Sequence, residues 1–337
     1  QSIDHNKAFI PAYENLVSSY KLIGNYDLSI KYILQGLDLM PQNQKLKNHL
    51  IDIFNYHQPK IYQNVIININ HLINKLDTIK RNDKLIQNSI IKNILEKSEE
   101  ILKDNKDTTF KYPETQIFRR NKKRLHCGRQ FGIFNKYKII PKFCFSCYKV
   151  QITLTNVLNL IKIYFYFNDL YLEKNNTRKC MIEFRKNVSG NYKGYLYASS
   201  INEAKNIKRI ITNDLINKEI NYEKIAIKHG CTEYYDQFEL YKNIDEDITD
   251  RVYQKEWGNI EKEFDRDNLI KENIKEKVFD NTLNKFNLPD FLIIKNWLLY
   301  AKIIKDNSIN EVFKFDIKTD HLSKIDIENI QLRSSNN

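Results

Sequence analysis

The 337-residue chain carries 54 Lys and Arg against 42 Asp and Glu, which gives a net charge of +12. Hydrophobic residues make up 42 % of the chain, enough to build packed cores, so the composition excludes a wholly disordered protein. Five cysteines are too few for a secreted disulfide scaffold, and 8 glycines exclude a collagen-like or glycine-rich design.

The sequence contains no stretch that approaches about 18 uninterrupted apolar residues, so we expect no transmembrane helix and no membrane partner. The most apolar run, 161–167, already contains Lys162. The few cysteines and the lack of a signal-peptide pattern predict a cytoplasmic location.

The 34 residues from 10 to 43 have the pattern of a helical hairpin repeat. Apolar residues recur along a first helix, and Pro41 closes the unit. In the second helix Ser29, Ile33 and Gly36 alternate small, large and small side chains. The pattern resembles a tetratricopeptide repeat (TPR), and this resemblance implies stacked hairpins that bind a protein or peptide in a groove.

Two further helix stripes follow this repeat. Apolar residues from Val65 to Ile79 recur at steps of four and three, which places them on one helix face. A second stripe runs from Ile86 to Ile101. We therefore predict a TPR-like helical region over 1–104, with both stripes facing its core.

The charge balance changes sharply after residue 110. Residues 111–150 contain eleven Lys and Arg and a single acidic residue, Glu114. Clustered positive charge attracts phosphates by direct pairing and by counterion release. We predict an anion-binding patch made of Arg119, Arg120, Lys122, Lys123, Arg124 and Arg129. The alternatives are a solvated basic loop and ion pairing with the acidic C-terminal third.

From Lys149 onwards the pattern is that of short strands interrupted by two helices. The predicted strands cover 150–154, 181–186, 192–199 and 225–227. Asn156 and Ser200 are suited to cap the two helices between them. The order β-α-β-β-α-β is that of a ferredoxin-like arrangement, which we assign to a basic α+β domain at 111–235.

This topology also predicts where the cysteines meet. Cys144 and Cys147 precede the first strand and Cys231 follows the fourth, so all three belong to one rim of the sheet. Cys144-Phe-Ser-Cys147 has the spacing of a metal knuckle, which predicts a zinc site, with an iron–sulfur cluster as the alternative. The fourth ligand is predicted among Cys127, His126, His229 and Cys180, although Cys180 opens the second strand and strictly belongs to the opposite rim.

Two other interpretations of the cysteines stay open. Cysteine packs well as a small hydrophobic residue, so these positions are also consistent with buried free thiols. Cys231 between His229 and Glu233, and Cys127 beside His126, are also suited to be reactive thiols.

Tyr195 and Tyr197 lie on one face of the third predicted strand, because side chains alternate along a strand. Lys193-Gly194-Tyr195-Leu196-Tyr197 resembles the signature of the RNA-recognition motif. In that family aromatic residues at these positions stack on bases, which implies base stacking by Tyr195 and Tyr197. The first strand departs from the family with Gln151 in place of an aromatic residue, and the alternative is that helices cover this face.

The last third of the chain, 236–332, is predicted to be a charged helical region. Residues 243–282 are dense in charge, which is typical of a solvated helix or a linker. Residues 291–304 predict a packed helix, and 311–325 give a weak strand signal.

The sequence therefore predicts an α+β protein with TPR-like hairpins, a ferredoxin-like domain and a helical C-terminal segment. We expect an interaction or adaptor protein whose basic domain binds an anionic partner such as RNA. The alternative is a TPR-fused enzyme, a transferase or a zinc- or iron–sulfur-dependent enzyme, that acts on an anionic substrate at the cysteine rim. No Walker loop, GxGxxG, GxSxG or HExxH motif is present, so the sequence leaves enzymatic activity undecided.

Overall fold

The architecture is taken from a computed structural model, which describes residues 8–60, 63–77, 86–105, 108–120, 127–185, 188–268, 282–312, 328 and 330. Within these ranges the chain forms thirteen helices and a five-stranded antiparallel sheet, so the predicted mixed α+β class is confirmed. No helix in the described part of the chain is long and apolar enough to cross a membrane.

The elements follow one another along the chain in three groups. The N-terminal helices are α1 (Ile10–Leu22), α2 (Tyr26–Leu39), α3 (Gln44–Ile53), α4 (Val65–Leu76) and α5 (Asn88–Asp104). The central elements are β1 (Gln116–Arg119), α6 (Cys127–Tyr137), α7 (Lys142–Phe145), β2 (Tyr148–Leu154), α8 (Val157–Asp169), β3 (Arg178–Ile182), β4 (Tyr192–Ala198), α9 (Ile201–Asn217) and β5 (Tyr222–His229). The C-terminal helices are α10 (Ile248–Val252), α11 (Lys255–Asp267), α12 (Leu288–Ile303) and α13 (Ile309–Val312).

Helices α1, α2 and α3 pack closely on one another because small residues stand where they cross. Ser29, Ile33 and Gly36 of α2 are all buried. The Ser29 hydroxyl donates to the Val17 carbonyl oxygen of α1 at 3.2 Å. A Cβ atom at Gly36 would lie 2.5 Å from Cδ1 of Leu46 in α3, so glycine permits this close approach.

The five strands form one sheet in the order β1-β3-β4-β2-β5, and every neighbouring pair is antiparallel. Strand β2 occupies an interior position, with β4 on one side and β5 on the other. Directly paired residues of antiparallel strands point to the same face of a sheet. The register therefore sorts the strand side chains into two faces.

Helices α8, α9 and α12 pack on one face of the sheet, which we call the helical face. The apolar strand residues Val150, Ile152 and Leu196 are buried there. Gly194 in β4 allows α8 to approach, since a Cβ atom at this position would lie 3.1 Å from Cγ2 of Ile163. Apolar side chains of the strands and helices thus form the main core.

A buried ion pair joins the first strand to the longest C-terminal helix. The Arg119 guanidinium is 4 % exposed and donates to Oδ2 of Asp290 at 2.7 Å. Asn168 and Tyr164 of α8 accept further hydrogen bonds from the same guanidinium, at 2.9 and 3.2 Å. Asp290 also accepts from the Tyr164 hydroxyl at 2.9 Å, so the pair lies inside a shared network between β1, α8 and α12.

The cores do not follow the domain boundaries that we predict from the sequence. The main core is continuous from α1 through the sheet to α12. A second core combines residues 133–145 with residues 234–264, and these lie on opposite sides of the predicted boundary at 235. The C-terminal third is therefore distributed between two cores rather than forming a region of its own.

Three elements within the basic stretch at 111–150 are absent from the sequence-based prediction. These are the short edge strand β1 and the helices α6 and α7. Residues 243–282 were expected to be solvated, but α11 packs Trp257 and Phe264 into the second core. The strand signal at 311–325 lies almost wholly outside the described residues.

Candidate functional site

The sheet face opposite the helical face consists mainly of polar side chains. In β2, Lys149, Gln151 and Thr153 alternate with the core residues Val150 and Ile152, so they point away from the helices. We call this surface the basic face. Its side chains are Lys149, Gln151 and Thr153 in β2, Lys179 and Met181 in β3, Lys193, Tyr195 and Tyr197 in β4, and Lys224, Ala226 and Lys228 in β5.

One internal ion pair neutralises part of this face. Glu183, which follows β3, accepts from Nζ of Lys193 at 3.0 Å and from Nε of Arg185 at 2.8 Å. Burial acts to raise the pKa of Glu183, but the hydrogen bonds from Arg185 and Lys193 lower it to about 2. Glu183 is therefore ionised at neutral pH and balances one of its two cationic neighbours.

Lys149, Lys179 and Lys228 share this face without a comparable balance. Within the described ranges, no salt bridge involves any of these three ammonium groups. Nζ of Lys149 donates instead to the Gly230 carbonyl oxygen at 2.9 Å. The basic face thus keeps an excess of positive charge in a partly dehydrated setting, which is suited to an anionic ligand.

The pKa values of the three lysines reflect this crowding. Burial lowers the pKa of Lys149; Glu233 and Cys231 act to raise it, while the charges of Lys228 and Arg185 act to lower it. Burial and repulsion from Lys149 lower the pKa of Lys179 to about 8. Burial and Lys224 lower the pKa of Lys228. A bound anion would relieve the repulsion that these groups exert on one another.

The two tyrosines predicted to stack bases occupy different environments. Tyr195 is only 5 % exposed, and the ammonium groups of Lys149 and Lys179 lie 5.4 and 5.6 Å from its ring centroid. The ring therefore does not offer an open surface to a base, which corrects the expectation for this residue. Tyr197 is half-buried on the same face.

Two of the predicted anion-binding arginines are already paired with carboxylates. Arg119 lies in the buried network with Asp290. Arg129 pairs with Glu261 at 3.0 Å and with Asp265 at 2.6 Å, which is the alternative of pairing with the acidic C-terminal third. These placements correct the expectation that Arg119 and Arg129 bind an external anion.

Arg120 is the one other member of the predicted patch within the described ranges. Its guanidinium lies 5.1 Å from the Phe118 ring centroid, on the β1 edge of the basic face. Its backbone N–H and carbonyl oxygen both bond to Thr282. The predicted residues Lys122, Lys123, Arg124 and His126 lie outside the described residues.

Four cysteines gather at the rim where β2 begins and β5 ends. The Gly230 N–H donates to the Cys147 carbonyl oxygen at 2.8 Å, which joins the two segments. Cys144 lies in the second core and Cys231 packs against that core, where the two thiols shift each other's pKa. Cys147 packs against Gly230, where a Cβ atom would lie 2.5 Å from its Sγ. Cys127, at the start of α6, interacts electrostatically with Cys231.

The two thiols differ in acidity. The interaction with Cys144 lowers the pKa of the Cys231 thiol and the Lys149 ammonium also lowers it, whereas burial and the Glu233 carboxylate act to raise it. The interaction between the two thiols raises the pKa of Cys144, which is buried. The Tyr234 hydroxyl lies 3.6 Å from Sγ of Cys144. We call Cys144, Cys231 and Tyr234 the thiol cluster.

Two predicted metal ligands lie apart from this cluster. Cys180 pairs with Gly194 in β4 and with Ile117 in β1, and its electrostatic neighbours are Arg119, Asp290 and Arg178. The His229 ring stacks between Tyr148 and Tyr241, and its Nε2 lies 2.8 Å from the Asn243 carbonyl oxygen.

The described residues contain no group of three or more His, Cys, Asp or Glu side chains placed to hold a metal ion. The thiols interact electrostatically but do not present the ligand set that zinc or an iron–sulfur cluster requires. The zinc site and its iron–sulfur alternative thus stay predictions without geometric support.

The lysines that make the basic face charged are absent from the sequence-based prediction. Lys149, Lys179 and Lys228 stand on three different strands and are separated by up to 79 positions. The signal was present, because a lysine at the outward phase of several successive strands predicts a charged sheet face. It was obscured by the denser run of arginines and lysines just upstream.

Comparisons of the chain with protein-family models, with curated proteins and with solved structures found no match. The function is therefore argued from the geometry of the basic face and the thiol cluster alone.

Proposed function

We propose that the protein binds single-stranded RNA through the phosphates, on the basic face of its sheet. The observation that carries this proposal is the placement of Lys149, Lys179 and Lys228 on one face without a carboxylate partner among the described residues. Phosphate groups match such clustered ammonium groups, and contact to phosphates needs no particular base.

The order of the strands supports this interpretation. We infer that β2-α8-β3-β4-α9-β5 is a ferredoxin-like unit, because its strands lie in the order β3-β4-β2-β5 with both helices on one face. Strand β1 then extends the sheet at the β3 edge. In RNA-recognition motifs, which this unit resembles, the helix-free face of the sheet contacts RNA.

Phosphate contact is favoured over base stacking as the main source of affinity. The Tyr195 ring is covered by two ammonium groups, so a base cannot reach it without moving them. Tyr197 is half-buried, and we assign it no more than one stacked base. The expected binding is therefore strongly dependent on salt and weakly dependent on sequence.

The hairpins α1 to α3 are proposed as a TPR-like module that binds a protein partner. Their support is the small–large–small packing of Ser29, Ile33 and Gly36 against α1 and α3. This module lies apart from the basic face in the chain, so one protein partner and one RNA can be bound by separate surfaces. The pair of functions is that of an adaptor.

The test is the salt dependence of RNA binding, measured by fluorescence anisotropy with a labelled single strand of mixed sequence. Each single-strand phosphate contact contributes about 0.7 to the slope of log K against log salt concentration. A triple variant with Lys149→Gln, Lys179→Gln and Lys228→Gln should reduce the slope by about 2. A matched triple variant with Lys31→Gln, Lys205→Gln and Lys255→Gln, all at exposed positions elsewhere, should change it much less.

Two results would contradict RNA binding at this face. One is affinity that does not change with salt concentration, and the other is an equal effect of the two triple variants. Double-stranded RNA and an acidic polypeptide, tested as competitors, separate single-strand binding from general attraction to polyanions. Circular dichroism of each variant verifies that the sheet is retained.

A further inference from the structure

The thiol cluster joins two cysteines that are 87 positions apart in the chain. Cys144 lies in α7, and Cys231 directly follows the β5 segment. Both pack in the second core, where the Tyr234 hydroxyl lies 3.6 Å from Sγ of Cys144, and each of the two thiols shifts the pKa of the other. The RNA-binding proposal does not use these groups, so the cluster needs a separate explanation.

The two thiols are unequally accessible. Cys231 is partly exposed, whereas Cys144 is buried in the core against which Cys231 packs. A small reagent from solvent therefore meets Cys231 before Cys144, and the exposed Cys127 is the competing thiol at this rim. We assign Cys144 as the group that reacts with whatever forms on the Cys231 sulfur, because both pack in the same core.

We propose that Cys231 is an oxidation site for hydroperoxides, and that Cys144 resolves the oxidised form into an intramolecular disulfide. The proposal rests on the contact and the accessibility of the two thiols and is independent of RNA binding. It assigns to this rim a reversible covalent chemistry rather than a bound metal.

The chemistry takes two balanced steps. The Cys231 thiolate attacks one oxygen of hydrogen peroxide, the O–O bond breaks, and the leaving hydroxide takes a proton to become water. Cys231 is then a sulfenic acid, and its sulfur has been oxidised by two electrons. The Cys144 sulfur next attacks the Cys231 sulfur, so the S–O bond breaks and an S–S bond forms. The released hydroxide takes the Cys144 proton and leaves as a second water.

The test uses the full chain, reduced, freed of reductant and treated with hydrogen peroxide in small excess. Remaining thiols are then blocked with an alkylating reagent, and the protein is analysed by mass spectrometry before and after digestion. We expect the loss of two hydrogen atoms per chain and a linked peptide pair that contains Cys144 and Cys231. A thiol reductant should restore the original mass.

Three variants separate the roles of the thiols. Cys144→Ser should stop oxidation at the sulfenic acid, seen as one added oxygen atom that reacts with a cyclic dione probe. Cys231→Ser should abolish both products. Cys180→Ser, which changes a buried cysteine outside the cluster, should leave the linked peptide unchanged.

The proposal is overturned if the peroxide-treated chain stays fully reduced, or if the linked pair is Cys144 with Cys147 or Cys127 with Cys231. It is also overturned if Cys144→Ser leaves Cys231 unmodified while remaining folded. Should that variant fail to fold by circular dichroism, the linked peptide of the unaltered chain and the Cys231→Ser variant decide the question. A full equivalent of zinc held by these thiols in the purified chain would likewise contradict the proposal.

Discussion

The two faces of the sheet bury charge in opposite ways. On the helical face the Arg119 guanidinium reaches a carboxylate, an amide oxygen and a hydroxyl. Arg178 on the same face donates to four oxygen atoms, from Asn176, Phe167, Leu170 and Asn175.

On the basic face, Lys149 and Lys179 lie close together with no carboxylate among the described residues in ion-pair contact. A buried charge with partners serves to specify how elements pack, because leaving it unpaired is costly. A cluster of like charges without carboxylate partners destabilises the folded state, and we propose that it serves to bind a ligand rather than to hold the fold together. The following changes test that contrast.

The largest effect is expected from Asp290→Ala, which removes the carboxylate from the helical face. Arg119 would remain buried without its counter-charge, and breaking one side of such a pair costs about 3–5 kcal/mol of unfolding free energy. Urea unfolding followed by circular dichroism measures this loss. Glu96→Gln, which breaks the surface pair with Lys92, is the control and should cost no more than about 0.5 kcal/mol.

A loss below about 1 kcal/mol for Asp290→Ala would contradict the contrast, because it would mean that the helical face tolerates an unpaired arginine. A double variant in which Arg119→Met accompanies Asp290→Ala should recover part of the stability. Together with the Arg119→Met single variant, these measurements complete a double-mutant cycle that gives the coupling between the two side chains.

An intermediate effect is expected at Gly230, where the basic face meets the thiol cluster. In Gly230→Ala the new Cβ atom would lie 2.5 Å from Sγ of Cys147, and overpacking of this kind costs about 1–3 kcal/mol. The matched change is Gly128→Ala in α6, where no neighbouring atom lies within 4 Å of the new Cβ. Because alanine favours a helix by up to about 1 kcal/mol, Gly128→Ala should be neutral or stabilising. Equal urea midpoints for the two variants would show that the rim is loosely packed.

The most specific effect is the pH dependence due to Lys179. Its pKa in the folded protein is about 8, below its ordinary 10.5, so folding disfavours the protonated form. The destabilisation is complete below about pH 8 and is relieved as the pH rises from about 8 to about 10.5. Lys179→Met should therefore raise stability at neutral pH and remove this rise.

Urea midpoints measured across that pH range for the unaltered chain and for Lys179→Met give the difference directly. Lys205→Met is the matched control, since Lys205 is exposed on α9 away from the sheet face. An unchanged pH profile in Lys179→Met would mean that this lysine is fully solvated. In that case the lysine ammonium groups of the basic face would not repel one another appreciably, and a bound anion would have no repulsion to relieve.

The strands of the sheet were predictable because their side chains alternate in a regular way. Val150, Ile152 and Leu154 define β2, and the caps Asn156 and Ser200 mark the starts of α8 and α9. What the alternation could not provide is the burial of the polar phase. The alternating pattern predicts that Gln151 and Thr153 face solvent, but both are buried in the folded chain.

The site was harder to predict because its partners are distant in the chain. In the sequence Arg119 belongs to a run of basic residues that predicts a surface patch. Its partner Asp290 lies 171 positions away, and no local sequence pattern indicates the pairing. The four-residue strand β1 is too short to show a period. The Cys144–Cys231 contact, in contrast, could be derived from the strand order, because antiparallel threading returns the end of β5 to the start of β2.

Helix α12 has a consequence for how the chain is made. Its N-terminal end is hydrogen-bonded to the first third of the protein, with the Leu288 N–H donating to Oδ1 of Asn70 across 218 positions. The Asn287 side-chain amide likewise donates to the Phe54 carbonyl oxygen. During translation the early helices are synthesised long before α12, so the apolar surfaces that α12 covers are exposed until then. We therefore expect the nascent chain to be prone to aggregation until α12 has left the ribosome.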